Sequence, residues 1–191
     1  MAFKSLQLTA EVEQWPLVVP FRITGFTWHF VNVLVVTLTQ DGHVGRGEAA
    51  GVYYKGDQPA AMCAAIEAQR TLIEAGIDRS SVQSLLPPGG ARNALDCALW
   101  DLEAKVTGRR AWQIAGLNYP QPLLTTFTCG ADTPDRMAAA AQAYAGARAL
   151  KLKLTGEPSD AERVQAVREA KPDVWLGSTP TRDFRPPHWS V

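Results

Sequence analysis

Leucine and lysine alternate strictly in one short stretch of the chain. Ala149 to Thr155 has the sequence A-L-K-L-K-L-T. A period of two is that of a β-strand, so the stretch predicts a strand with three leucines on one face and Lys151 and Lys153 on the other. Two ammonium groups are therefore expected to point the same way.

The surroundings of this strand decide between two interpretations of its lysines. An alanine-rich helical segment precedes the strand, another follows it, and each leads to a further short apolar strand. This βαβα order predicts parallel strands covered by helices, so the lysines would face the interior of a barrel or crevice. There, mutual repulsion would lower a lysine pKa and leave a neutral amine able to take a proton from carbon. The alternative is an edge strand whose lysines face solvent and prevent aggregation.

The first 118 residues predict a small antiparallel meander followed by helices. Asp41-Gly42 is a hairpin signal between two strands, while Pro16 and Pro20 predict the end of the first strand and an irregular segment from Phe21 to Trp28, with a turn at Gly25. The predicted strands are 5–13, 30–40 and 44–49, and the predicted helices are 57–75, 80–86 and 91–106.

The pattern changes after residue 118. Strands are predicted at 123–128 and 150–154 and from 174 to 176, with helices at 133–144 and 159–170 between them. From 178 onward no periodicity remains. We therefore predict three segments, namely a domain at 1–118, a partial barrel at 119–177 and a tail at 178–191.

Composition excludes several classes of function. Lysine plus arginine and aspartate plus glutamate each total 19, so no charge excess favours nucleic acid or a membrane surface as a partner. Apolar runs are far shorter than a membrane span and the N-terminus lacks a signal-peptide core, which predicts a cytoplasmic protein. The 3 cysteines are predicted to be reduced and buried.

Two other patterns are interpreted as structural. Gly45-x-Gly47 with Gly51 does not open a helix as a phosphate-binding loop must, so it predicts a bend. Asp96, Asp101 and Glu103 have spacings suited to capping and packing contacts with arginines such as Arg92.

Three stretches together resemble the muconate-lactonising branch of the enolase superfamily, and within it the dipeptide epimerases acting on L-Ala-D/L-Glu. They are the helix Ala91 to Gly108, the strand Thr125 to Gly130, and the K-L-K-L of Lys151 to Leu154. The resemblance implies an α+β capping domain followed by the first strands and helices of an incomplete (β/α)8 TIM-type barrel.

The resemblance also implies a chemistry. In the family Mg²⁺ stabilises the enolate formed when a lysine removes a proton α to a carboxylate. Lys153 matches the base on one face of the substrate carbon, and Lys151 matches the neighbour that keeps its pKa low and contacts the substrate carboxylate. The positions matching substrate-contacting residues are Thr128, Arg22, Thr24, Trp28, Tyr53 and Tyr54.

The chain departs from the family after Gly177. The family continues with a sequence such as V-D-A-N-Q-G, which contains the first of three acidic metal ligands, whereas this chain has S-T-P-T-R-D. One set of codons for Ser178 to Arg182, with the first two bases of the Asp183 codon, gives V-D-A-N-Q-G when it is read one base earlier, from the last base of the Gly177 codon. We therefore expect a single-base loss and an out-of-frame tail, and an open frame without later family motifs would contradict this. Without metal ligands or the second lysine, no metal binding and no activity are expected.

Three functions remain open. The first is a dipeptide epimerase-like isomerase; the second is another superfamily reaction, of the muconate cycloisomerase or o-succinylbenzoate synthase type, because the same base serves all of them. The third is a non-catalytic cap acting as an interaction module. The expected partner is a small dipeptide, with homo-oligomers among the expected assemblies.

Overall fold

The computed structural model describes residues 3, 5–23, 26–52 and 55–180. The chain divides into two compact units: unit 1 comprises Met1–Pro16 and Phe30–Pro120, and unit 2 comprises Leu17–His29 and Gln121–Val191. These units are not contiguous in sequence, so the boundaries at 118 and 177 stay predictions.

Six strands and seven helices are described within these residues. The strands are β1 (Gln7–Ile23), β2 (Phe26–Gln40), β3 (His43–Ala49), β4 (Phe127–Cys129), β5 (Ala149–Leu154) and β6 (Trp175–Pro180). The helices are α1 (Pro59–Glu67), α2 (Arg70–Ala75), α3 (Arg79–Leu85), α4 (Gly90–Thr107), α5 (Ala111–Ile114), α6 (Pro134–Ala143) and α7 (Asp160–Ala170).

The first strand continues through both prolines. The expected end at Pro16 and the irregular segment from 21 to 28 are wrong, because β1 runs to Ile23 and β2 begins at Phe26; the predicted turn at Gly25 lies outside the described residues. The sheet order is β1-β2-β3. β1 is therefore an edge strand, with one side that has no partner strand in this sheet. On that side a proline, which lacks an N–H, costs no ladder hydrogen bond.

The hairpin between β2 and β3 is confirmed. Gln40 pairs with His43, and the two residues between them take positive φ angles, 48° at Asp41 and 79° at Gly42. Positive φ at both central residues is the tight turn that suits the twist of antiparallel strands.

The glycines of β3 let helix α4 approach the sheet closely. A Cβ on Gly45 would lie 2.3 Å from the Ala98 oxygen, and one on Gly47 would lie 2.1 Å from the Ala94 oxygen. The expected bend is therefore wrong for Gly45 and Gly47, which lie within β3 and whose lack of a side chain lets the helix backbone pack on the strand.

The core of unit 1 lies between the sheet and α4, with the shorter helices around it. Among its fully buried side chains are Leu34, Val36, Leu38, Ile66, Ile73, Leu95, Leu99 and Leu102. Two acidic residues of α4, Asp101 and Glu103, make structural contacts. Glu103 forms an ion pair with Arg79 at 2.9 Å. The guanidinium carbon of Arg79 lies 3.5 Å from the centre of the Trp100 ring. Asp101 accepts from the Arg46 backbone N–H and from Lys105. Arg92 instead donates to the Gln83 carbonyl.

Unit 2 contains the predicted parallel sheet, in the order β4-β5-β6. β5 is its central strand, so the interpretation of an edge strand protected by lysines is wrong. β6 extends through Pro180, three residues into the predicted tail at 178–191, and it pairs with β5 as far as Leu154.

Two further expectations concern the whole chain. Cys129 is buried and Cys63 partly buried, but Cys97 is exposed, so the prediction of buried thiols is wrong for Cys97. A search of the described residues for a helix of membrane-spanning length and hydrophobicity yields none.

Candidate functional site

The two faces of strand β5 differ as the alternation predicts. Leu150, Leu152 and Leu154 are buried in a core with residues from β4, α6, α7 and the segment before β6. Lys151 and Lys153 are partly buried on the opposite face. Since α6 and α7 contribute to the leucine-side core, Lys151 and Lys153 lie on the side of the sheet away from these helices.

The strand register brings two threonines to the lysines. Thr128 of β4 pairs with Lys151, and Thr179 of β6 pairs with Lys153. Residues paired across parallel strands point to the same side of a sheet. Thr128, Lys151, Lys153 and Thr179 therefore form one surface, which we call the lysine face.

Burial and charge both act on Lys153. Burial disfavours its ammonium form, and the positive charge of Lys151 adds to this, so the pKa of Lys153 lies below its ordinary value. A lysine with a lowered pKa holds a larger fraction of neutral amine near neutral pH, and the neutral amine is the form that accepts a proton.

A carboxylate fixes the loop that follows Lys153. The buried Asp160 at the start of α7 accepts hydrogen bonds from the backbone N–H groups of Thr155 (3.1 Å) and Gly156 (2.7 Å). Burial alone would raise the pKa of Asp160, but hydrogen bonds from Arg163 and from these two N–H groups outweigh it and hold the pKa below its usual range.

Arg163 connects this loop to the one that follows β4. Its guanidinium donates to Asp160 (2.8 Å), to the Thr155 hydroxyl (2.6 Å), to Glu157 (2.9 Å) and to the carbonyl of Asp132 (2.8 Å). The Asp132 carboxylate lies 3.4 Å from the guanidinium of Arg22. Asp132, Asp160 and Arg163, which we call the loop clamp, thus hold the ends of two barrel strands together.

Arg22 and Trp28 lie at the end of the β1–β2 hairpin that belongs to unit 2. The Arg22 carbonyl accepts from the Ala131 N–H at 3.1 Å, and the Trp28 ring lies 5.6 Å from that of Phe26 and 6.0 Å from that of Phe21. Arg22 borders a cavity of about 370 Å³ that Thr155, Glu157 and Arg163 also line.

Of the remaining predicted site residues, the described structure places only Thr128. Thr24, Tyr53 and Tyr54 lie outside the described residues. Thr128 lies on the lysine face, and its carbonyl accepts a hydrogen bond from the Tyr144 hydroxyl at 3.2 Å.

Sequence reasoning missed the loop clamp. Its local signal is an Asp three residues before an Arg in the first turns of a helix, which predicts an ordinary helical ion pair. The contact that joins the two loops is made between residues distant in sequence, because Asp132 is 31 positions from Arg163. No local pattern indicates this contact.

The described residues do not supply a metal site. Across 3, 5–23, 26–52 and 55–180, no cluster of three His, Cys, Asp or Glu side chains suited to a metal ion is found. The lysine face offers ammonium and hydroxyl groups, whereas Mg²⁺ is held through carboxylate oxygens. The donor set present therefore does not fit Mg²⁺.

Comparison with known proteins gives one family. Residues 5–116 match the family described as mandelate racemase / muconate lactonizing enzyme, N-terminal domain. The L-Ala-D/L-Glu epimerase of Escherichia coli K12 is 39% identical over 166 residues, which are 86% of this chain and 51% of that protein. The chain spans about half the length of the curated relatives it matches.

Two solved structures resemble the fold over nearly the whole chain. An enolase family member from Agrobacterium tumefaciens with homology to dipeptide epimerases, solved with sodium and L-Ala-L-Glu, has a TM-score of 0.81 and 37% identity, covering 91% of this chain and 53% of that one. The dipeptide epimerase of Methylococcus capsulatus, complexed with Mg and L-Arg-D-Lys, has a TM-score of 0.83 and 28% identity, covering 97% and 55%.

Proposed function

We propose that this chain, which belongs to the mandelate racemase / muconate lactonizing enzyme family of the enolase superfamily, carries the cap and the first proton-transferring strands of a dipeptide epimerase. One observation supports this most directly. Lys153 lies partly buried beside Lys151 on the lysine face, and its pKa is lowered by burial and by that neighbour.

Lys153 is the proposed base. Its neutral amine takes the proton from the carbon α to the dipeptide carboxylate; the C–H bond breaks, an N–H bond forms, and the electron pair moves onto the carboxylate to give an enolate. Return of a proton from the opposite side of the carbon then gives the other epimer. Lys151 keeps the pKa of Lys153 low and contacts the substrate carboxylate.

Substrate contacts are proposed for three described residues of unit 2. Thr128 lies level with Lys151 on the same surface, and Arg22 offers a guanidinium whose side chain is 43% exposed beside the cavity. Trp28 lies in the same hairpin and supplies an apolar contact. Roles for Thr24, Tyr53 and Tyr54 stay predictions.

The described residues do not support catalysis by this chain alone. An enolate concentrates negative charge, and electrostatic stabilisation of such charge is usually the largest part of the rate enhancement. Relatives crystallised with Mg include the Methylococcus capsulatus epimerase, but the residues described here do not fit that ion. We therefore expect the chain to catalyse no epimerisation without further barrel segments.

A chimera tests the proposed reaction. Residues 1–177 would be joined to the part of the Escherichia coli epimerase that follows its matched segment, and the product assayed with Mg²⁺ on L-Ala-L-Glu, on cis,cis-muconate and on the o-succinylbenzoate synthase substrate. Epimerisation of the dipeptide is expected, and the chimera carrying Lys153→Met serves as the inactive control.

The other outcomes are equally informative. Turnover of only a non-dipeptide substrate would assign the chain to another superfamily reaction. A folded chimera inactive on all three substrates would contradict the proposal and favour a cap that acts only as an interaction module.

A further inference from the structure

The end of the β1–β2 hairpin lies directly on the loop that follows β4. The Arg22 carbonyl accepts a hydrogen bond from the Ala131 N–H at 3.1 Å. A Cβ on Gly130 would lie 3.3 Å from the Arg22 nitrogen and 3.4 Å from the Arg22 oxygen, so the two backbones are in close contact. The Arg22 guanidinium lies 3.4 Å from the Asp132 carboxylate. The place of Arg22 therefore depends on the place of this loop.

Arg163 links this loop to the one that follows β5. β4 ends at Cys129, so the pairing of β4 with β5 does not extend into the loop. The Arg163 Nε–H donates to the Asp132 carbonyl at 2.8 Å. On the other side, Nη1 donates to the Asp160 carboxylate at 2.8 Å and to the Thr155 hydroxyl at 2.6 Å. One guanidinium thus joins both loops.

The surroundings of Arg163 fix its orientation. Its side chain is 12% exposed, and all three of its guanidinium nitrogens donate hydrogen bonds. Arginine presents its donors in a rigid planar fork, whereas lysine presents one flexible ammonium group. Arg163→Lys therefore keeps the positive charge but removes the geometry that joins the loops.

Lys153 does not depend on Arg163 for its own place. β5 lies between β4 and β6 in the sheet, and Lys153 is paired with Thr179 of β6. Arg22 instead lies on the hairpin that rests on the loop after β4. Loss of the Arg163 link is therefore expected to displace Arg22 relative to Lys153.

We propose that Arg163 is a positioning residue that acts through Arg22. It holds the hairpin against the strand ends of unit 2, so that a dipeptide contacted by Arg22 presents its α carbon to Lys153. This inference rests on the proposed function, in which Arg22 contacts the substrate and Lys153 is the base. A displacement of about 1 Å at a reacting centre lowers a rate by up to roughly 100-fold.

Amide hydrogen exchange in the full 191-residue chain tests the structural half of the proposal without any activity. The bond between the Ala131 N–H and the Arg22 carbonyl does not involve the Arg163 side chain. Arg163→Lys should nevertheless speed exchange of the Ala131 amide by about tenfold, because the loop loses its link and opens more often. Unchanged exchange at Ala131 in a folded Arg163→Lys protein would overturn the proposal.

Another arginine of the same helix supplies the matched control. Arg168 of α7 donates to the carbonyls of Pro172 and Val174, which precede β6. Arg168→Lys should leave exchange at Ala131 unchanged. An equal effect of Arg168→Lys and Arg163→Lys would indicate general loosening of α7 and contradict the assigned role.

The wild-type protein decides the question if Arg163→Lys fails to fold. Two loops joined by one guanidinium should open as a single unit. In low concentrations of urea, the amides of Ala131 and Gly156 should therefore show the same free energy of opening and the same dependence on urea. Different values at the two amides would show that the loops open independently and would overturn the proposal.

Kinetics of the chimera separate positioning from simple stabilisation. Arg163→Lys should lower kcat/KM for L-Ala-L-Glu by about tenfold, mainly through kcat, because the substrate stays bound but poorly aligned. In a chimera that already carries Arg22→Met, the same substitution should lower it by less than about twofold, since no contact remains to be positioned. Equal losses in both backgrounds would overturn the proposal.

The failure of this inference can be distinguished from the failure of the proposed function. A folded chimera without epimerase activity would contradict the proposed function and, with it, the catalytic half of the inference. An active chimera in which the Arg22 and Arg163 substitutions act independently would overturn the inference alone.

Discussion

At the scale of single residues, the chemistry depends on how two lysines on one strand share a surface. Lys153 loses hydration by burial and faces the charge of Lys151 as a second, smaller influence on its pKa. Both effects lower the pKa of Lys153. Substitution of Lys151 removes only the effect of its charge.

Replacing Lys151 with methionine should raise the pKa of Lys153 while leaving it below that of an ordinary lysine. Methionine has a similar length but no charge, so repulsion is removed while most of the burial remains. Titration of the Lys153 side-chain carbon by NMR measures the effect, with Lys55→Met as the charge-matched control. An unchanged Lys153 pKa in Lys151→Met would show that the lysines do not interact.

Asp160 makes a pH-dependent contribution to stability. Its pKa in the folded protein is below the usual value because hydrogen bonds outweigh burial. A carboxyl group of this kind stabilises the fold above its unfolded pKa, near 4, and that stabilisation is lost as the pH falls through the folded pKa.

The Asp160→Asn variant should therefore be less stable than wild type near pH 7, by about 2–3 kcal/mol in free energy of unfolding. The difference should shrink as the pH falls below about 4, because the wild-type carboxylate is then protonated. Urea unfolding of both proteins between pH 7 and pH 3 measures this. A difference independent of pH would contradict the assigned role of the carboxylate.

At the scale of elements, close packing rather than a turn explains the glycines of β3. The Cβ of an alanine at position 47 would lie 2.1 Å from the Ala94 oxygen and 2.6 Å from the Ala98 nitrogen, both backbone atoms of α4. A helix backbone cannot yield as a flexible side chain can.

Gly47→Ala should consequently lower the free energy of unfolding by about 3 kcal/mol. Gly146→Ala is the matched control, because a Cβ there would meet nothing within 4 Å. Thermal unfolding of both variants compares them. Equal stability of Gly47→Ala and wild type would show that α4 and β3 are not packed as described.

The elements also show what sequence could and could not predict. The faces of β5 were predictable because alternation directly encodes a two-sided strand. The course of β1 through Pro16 and Pro20 was not, since proline is compatible with a strand only if that strand lies at an edge, which is a property of the assembled sheet. The loop clamp was missed for a similar reason, as it joins residues distant in sequence.

At the scale of the whole molecule, the matched family domain ends before the lysine face, although the similarity to the Escherichia coli epimerase extends over 166 residues of the chain. The matched family domain spans residues 5–116, whereas the lysine face lies beyond it, in unit 2. Lys153 is thus proposed to act within a barrel to which this chain contributes three described strands. The sequence alone predicted the lysine face, but it gave no indication of the buried Thr179 hydroxyl, which has no hydrogen-bond partner within the described residues and whose place depends on the register of β6 against β5.

The most direct test of the account is α-proton exchange in D₂O by the chimera described above, measured separately for L-Ala-L-Glu and L-Ala-D-Glu, with and without Lys153→Met. If Lys153 is the base on one side of the α carbon, the substitution should abolish exchange for one epimer and leave exchange of the other, which a base on the opposite side performs. Unchanged exchange of both epimers in Lys153→Met would contradict the assignment of Lys153 as the base.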